Sequence, residues 1–409
     1  NEKASNNPLA GAVLDIKEIE VMDEQTVRFH FDEPSAAFFS SLSMPYAGII
    51  SPTALVSMGE EAFARAPVGS GPFRFESWQP GVALTLVRNA DYRWGPPGVQ
   101  NPGPPHIAKL VLQVIPDAST QVAALQAGEV DILFVNQPAH IRSLERAEGI
   151  TVAEATLNSL VYLGFNCAKP PFDEVLVRQA LSHAVNKAQI IQLVLEGYAQ
   201  QAFAPLAPTL PGFDPSLQQY ELAYDPEKAK SLLTAAGFTQ ADDGTWTRTG
   251  QSLKGTLLTS TRAPNGAIAT LLQNQFQAIG VPVEIQLLDS RAVMQATVEG
   301  DFDLLLWRYD WNDPEVLNIY LSSDRVGSSN RVFYRNETVD RLLAQGKHEM
   351  DQKARLPYYL EAQKIILEEA PWQPLYTPVD HFAFNRQRVQ DVVIGSMGRI
   401  LLNDARVVQ

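Results

Sequence analysis

One cysteine, Cys167, stands in a chain of 409 residues. A lone thiol closes no internal disulfide and builds no metal cluster. Sparse cysteine suits a reducing cytosol and a bacterial periplasm alike, so it assigns no compartment. Histidine is scarce too, with six residues scattered at 30, 106, 140, 183, 348 and 381. His348-Glu349 lacks the second histidine of a zinc-protease helix, and the chain has no Gly-x-Ser-x-Gly elbow, so neither hydrolase signature is present. Gly69 and Gly71 lie too close together for a phosphate-binding loop, and no Lys-Ser/Thr follows them. No apolar run reaches the roughly 18 residues that span a bilayer. The first eight residues are polar, so a signal sequence is not expected within this chain. Basic residues are outnumbered, 32 against 46, for a net charge of −14. That balance argues against nucleic acid or an anionic membrane surface as the main partner.

What remains is material for large cores. Hydrophobic residues make up 45% of the chain and charged residues 19%. The length suggests two or three domains. Two short strands are expected over residues 17–22 and 26–31, followed by a short helix over 34–42. A strand pair follows at 73–78 and 82–88, turned by Gln79-Pro80-Gly81, with a further strand at 107–114. The spacing predicts a helix over 118–127, closed by Gly128, and then a buried strand at 130–135. Another strand is expected at 160–166. Residues 173–196 carry an apolar stripe through Val177, Leu181, Ala184 and Val185, resumed at Ile190, Ile191, Val194 and Leu195, with a break near Asn186. Asp225-Pro226 opens a helix that Gly237 closes, and residues 242–250 read as a small hairpin. From 253 to 307 the order is strand, helix, strand, helix, strand, the pattern of an α/β lobe. Helices at 339–344 and 353–370 and extended pieces at 372–377, 383–384 and 389–395 complete the chain.

The segment 302–314 stands apart. An apolar run to Trp307 gives way to Arg308, Tyr309, Asp310, Trp311 and Asn312, and Asp313-Pro314 marks a turn. The sequence reading places Asp310 just past the end of a strand, where open α/β sheets tend to bind ligands. Two readings follow. One is the floor of a ligand cleft, with Asp310 facing a cationic group among flat aromatic surfaces. The other is a buried aromatic cluster in which Asp310 caps the next helix or pairs with Arg308 or another internal cation.

Five segments together resemble the family 5 extracellular solute-binding proteins of ABC importers, the dipeptide, oligopeptide and nickel group. They are Pro67-Val-Gly-Ser-Gly-Pro-Phe73, Leu86-Val-Arg-Asn-Ala-Asp-Tyr92, Ala124-Leu-Gln-Ala-Gly-Glu-Val-Asp131, the helix from Pro171 to Asn186, and Trp307-Arg-Tyr-Asp310 with Asp313-Pro314. The resemblance implies an α/β, two-lobed periplasmic-binding-protein-like fold (type II, cluster C) with a partial extra domain. Residues 1–68 would be the remnant of that extra domain. Residues 69–165 with 381–409 would form an incomplete first lobe, and 166–380 the second. Family members carry a further N-terminal segment, so the expectation is a chain that lacks it.

The same resemblance implies a non-enzymatic carrier that captures a peptide in an inter-lobe cleft and delivers it to a membrane permease. It would act as a monomer, in the periplasm or as a cell-surface lipoprotein, with no cofactor, metal or catalytic residue. Asp310, three residues after Trp307, would pair with the ligand's α-ammonium. Trp307, Tyr309 and Trp311 would line side-chain pockets, with Arg308 and Asn312 in the same loop. Tyr162, Asn166 and Tyr376 would supply hydrogen bonds near the crossings between lobes. An oligosaccharide, an opine or a nickel chelate as ligand stays open, as does a chaperone-like or receptor role.

Overall fold

The computed structural model describes residues 16–395 and 397–408. The chain divides into two units. One comprises Asn1–Tyr46 with Asn158–Pro378, and the other Ala47–Leu157 with Val379–Gln409. The expected three-part division set its crossings after residues 165 and 380; residues 1–15 of its first part lie outside the described residues.

In chain order the strands up to the last long one are β1 Glu18–Val21, β2 Val27–His30, β3 Phe73–Gln79, β4 Ala83–Arg88, β5 Lys109–Gln113, β6 Ile132–Val135, β7 Ile150–Thr156, β8 Ser159–Phe165, β9 Ala199–Gln201, β10 Thr239–Gln240, β11 Trp246–Arg248, β12 Gln251–Ser252, β13 Gly255–Ser260, β14 Val283–Leu288, β15 Leu304–Asp310 and β16 Trp372–Asn385.

The first unit is built on a mixed sheet in the order β14-β13-β15-β8-β16, with β9 also pairing with β16. β13 runs parallel to both β14 and β15, as expected for strands joined by crossover helices. β8 then pairs antiparallel with β15 and with the early residues of β16. The crossover helix Asn265–Ala278 packs on the sheet through Ile268, Leu272 and Phe276, spaced four apart on one stripe and fully buried. The second crossover helix, Ser290–Glu299, is capped by the Asp289 carboxylate, which accepts from the backbone N–H groups of Arg291 and Ala292. It stops at Gly300, whose φ of +78° is the left-handed conformation glycine adopts without penalty. That stop aims the chain into β15.

The expected long helix over 173–196 forms as two, Val175–His183 and Lys187–Leu193. Asn186 divides them by accepting from the Gln189 N–H as cap of the second. Their apolar side chains join Leu163, Phe165, Leu257, Leu304 and Leu306 in one core.

The second unit holds the antiparallel meander β3-β4-β5. It also holds β6 and β7, each paired with the later residues of β16. Helix Ala118–Ala127 forms as the sequence predicts, capped by Asp117 and closed by Gly128 at φ +73°. Helices Pro52–Met58, Glu60–Arg65 and Pro138–Glu145 were not foreseen. Among the described residues no helix is long and apolar enough to cross a membrane.

Candidate functional site

β15 does not end at Trp307. It continues through Asp310, because β8 runs alongside and offers a partner at every position, Trp307↔Tyr162, Arg308↔Val161, Tyr309↔Leu160 and Asp310↔Ser159. The Asp310 carboxylate therefore belongs to the last paired residue of a strand and not to a loop beyond it. The strand's period of two then sorts the neighbouring side chains onto opposite faces.

Arg308 and Asp310 share one face with Val161 and with Tyr376, which also pairs with Val161. Arg308 Nε donates to both carboxylate oxygens of Asp310, at 2.9 and 3.0 Å, and Nη2 donates to Oδ1 as well. Both side chains remain open to solvent, 40% exposed for Arg308 and 53% for Asp310. The internal-cation arrangement for Asp310 is thus realised, but at the surface. Tyr376 lies deeper on this face, and its burial raises the phenol's pKa while Arg308 pulls it down.

Trp307 and Tyr309 point to the other face, with Tyr162. Tyr309 is fully buried. Its hydroxyl donates to the Pro205 carbonyl at 2.8 Å and accepts from the Ala207 N–H at 3.1 Å. Tyr162 stacks on Trp372 with ring centroids 4.1 Å apart, and Trp372 lies 6.1 Å from the Tyr309 ring. Burial drives the pKa of both tyrosines well above the ordinary range. Trp307 is half-buried, packed against the cluster of Leu258, Val293, Phe302 and Leu305.

The remaining candidates make hydrogen bonds within the chain. Trp311 is buried and its backbone N–H donates to the Asn158 carbonyl at 3.0 Å. Asn312 Nδ2 donates to the Ser40 carbonyl at 2.9 Å and to Ser43 Oγ at 2.7 Å, tying the end of β15 to helix Phe38–Leu42. Asn166 lies at the opposite end of the β8–β15 pair, about seven residues or ~20 Å of strand from Asp310. There its Nδ2 donates to the carbonyls of Gly300 and Phe302, both at 3.1 Å. The structure thus brings together Arg308, Asp310 and Tyr376 on one face, and Trp307, Tyr309 and Tyr162 on the other.

Two groups near the segment escaped the sequence reading. Arg331 places its guanidinium 5.8 Å from the Trp307 ring centroid and donates to Thr297 Oγ1 at 2.9 Å. A buried network follows directly after Trp311. Asp313 accepts two hydrogen bonds from Arg355, at 2.9 and 3.0 Å. Arg355 also donates to the Tyr359 hydroxyl, which donates to Glu315 at 3.0 Å. Asn318 Nδ2 donates to the other Glu315 oxygen at 2.7 Å. Burial pushes the Glu315 carboxyl up to about 7, against the opposing pull of Asn318, Lys347 and Tyr359. The acidic pair around Pro314 is visible in the sequence, but its cation lies 42 residues away from Asp313, and no local pattern links them.

The model of bacterial extracellular solute-binding proteins, family 5, matches residues 1–329. Heme-binding protein A of Haemophilus influenzae is 31% identical over 394 residues, 94% of this chain and 68% of that protein. Di/tripeptide-binding protein 2 of Pseudomonas aeruginosa is 30% identical over 385 residues, 91% of this chain and 68% of that protein. Among solved structures, the ABC transporter-associated periplasmic binding protein DppA from Helicobacter pylori, in complex with the peptide STSA, superposes with a TM-score of 0.76 at 28% identity, covering 96% of this chain and 75% of that one. The chain belongs to the bacterial extracellular solute-binding proteins of family 5, and its fold is the mixed α/β architecture of periplasmic binding proteins.

Proposed function

We propose that the protein is the substrate-binding component of an ABC importer, capturing a short peptide and handing it to a membrane permease. The observation that carries this reading is Asp310. It is a half-exposed carboxylate at the end of β15 in a chain whose relatives include a di/tripeptide-binding protein and a peptide-bound transporter-associated protein. Its resident partner is Arg308, in a solvent-accessible pair that a ligand can open, and a peptide's α-ammonium is a cation that every peptide sequence carries. Main-chain recognition tolerates varied side chains, so the reading names the peptide class and not its residues. Capture requires no bond to be made or broken, which supports a carrier and not an enzyme. The proposed setting is outside the cytoplasmic membrane, in the periplasm or at the cell surface as a lipoprotein, with the protein acting as a monomer.

Of the residues selected from the sequence, Asp310 and Arg308 are proposed to meet the ligand directly, with Trp307 and Asn312 at the margins. Tyr162, Tyr309, Trp311 and Tyr376 are proposed to act from behind, by fixing the strands that carry the charges. Asn166 is proposed as a fixed point at the far end of the same strand pair.

Mass spectrometry of whatever is released when the purified protein is gently denatured tests the reading. Short peptides with free amino termini are the expected result. A porphyrin, a sugar or a nickel complex in their place would overturn it.

A further inference from the structure

Asp310 already has a counter-ion. The pleat returns Arg308 to the same face two residues earlier, and its guanidinium grips the carboxylate through Nε to both oxygens and through Nη2. Both side chains are solvent-accessible, so the pair is one that water and salt keep weak and that a ligand can open. On the pair's own face stands the Tyr376 phenol, whose pKa burial raises, so it stays protonated and neutral. Arg331 is aimed at Trp307, on the other face of the strand. An ammonium that reaches Asp310 therefore meets a resident cation competing for the same carboxylate, and one negative charge must answer two positive ones. A ligand that brings its own anion removes the conflict, since the guanidinium presents further N–H donors in a planar fork matched to a second carboxylate.

From this we infer that Arg308 is a specificity-determining residue. It favours ligands that carry both an ammonium and a carboxylate over ligands that carry the ammonium alone. The ligand class is then a short zwitterion, a dipeptide or a molecule of similar charge layout, in preference to an amine or a peptide whose carboxyl end is blocked. This rests on the peptide reading above and adds to it a role for the cation beside the recognised carboxylate.

The test uses calorimetric titration of the whole chain with the dipeptide Ala-Leu, its C-terminal amide and its N-acetyl derivative. The parent protein is expected to bind the free dipeptide at least tenfold more tightly than the amide, and the N-acetyl derivative not measurably. Arg308→Gln is expected to bring the ratio of dipeptide to amide to about two or less, by weakening the dipeptide and strengthening the amide. Arg308→Lys keeps the charge but loses the fork, and is expected to fall between the two. It also serves as the informative variant if the glutamine form does not fold. A parent that binds dipeptide and amide equally, or a ratio unmoved by both substitutions, overturns the role of Arg308 and leaves the peptide reading standing. A parent that binds none of the three overturns the peptide reading, and this assignment with it.

Discussion

Glu315, five residues after Asp310, has an unusual charge problem. Asp313 and Glu315 are both buried, and a single guanidinium, Arg355, lies between them and is itself fully buried. Arg355 answers Asp313 directly and reaches Glu315 only through the Tyr359 hydroxyl. The cost of ionising Glu315 in this setting is why its carboxyl is pushed up to about 7 from 4.5. An acid whose pKa is raised on folding stabilises the protein fully below its unfolded value, and that contribution is lost as pH rises through the folded value. The parent protein is thus expected to lose about 3 kcal/mol between roughly pH 4.5 and 7 on account of this group. Glu315→Gln cannot ionise, and its stability relative to the parent is expected to climb by a similar amount across that window. Urea unfolding of both proteins at several pH values measures the difference, and parallel curves would show that Glu315 stays charged. None of this was legible in the sequence, because burial is what makes the group unusual and no single-residue pattern reports burial.

At the scale of elements, the chain's signals read well wherever they were local. Gly128, Asp225 with Pro226, and the break near Asn186 each mark a helix boundary in the sequence and stand at one in the structure. They were misleading where partner strands decided the outcome. Bounding prolines argued for a short extended piece over 372–377, yet β16 runs for fourteen residues through Pro374 and Pro378. It absorbs Pro374 at an irregularity between Pro374 and Tyr376, its pairing with β9 ends at Pro378, and from Val379 on it pairs with β7 where its earlier residues paired with β8. β15 shows the same effect, since pairing with β8 extends it past the point where its apolar run ends. The composition of 302–314 was visible from the start, but which residues share a face depended on that extension.

Gly280 is a junction whose importance also depends on distant chain. It links helix Asn265–Ala278 to β14 at φ +83°, and a Cβ placed there would lie 2.0 Å from the Gly244 carbonyl oxygen in the hairpin that carries β11. The Trp246 indole N–H donates to the Ile279 carbonyl at 2.7 Å and holds the two segments together. Gly280→Ala combines backbone strain with this collision, so a loss of about 2–4 kcal/mol is expected. A thermal melt within a degree of the parent would contradict that reading of the junction.

For the whole molecule, the resemblance in the sequence pointed to the family that the comparisons establish, through motifs spread over both units. The net charge of −14 suits capture of a ligand through its cationic end. Binding through an exposed pair of charges is expected to weaken as salt rises, because screening reaches such groups readily. Titrating the ligand at low and at high ionic strength checks this, and affinity independent of salt would favour an uncharged ligand. The claim on which the account turns is narrower, namely that the Asp310 carboxylate receives a peptide's ammonium. Calorimetric titration of a dipeptide into the parent and into Asp310→Asn puts it to the test most directly. Asp310 is half-exposed, so the loss is set by an exposed ion pair, worth at most about 1 kcal/mol, together with hydrogen bonds to a charged group, worth about 1.5–3 kcal/mol, roughly one to two decades in affinity. The account predicts a loss of that size with the unliganded melting temperature nearly unchanged, while superimposable titrations of the two proteins would contradict it.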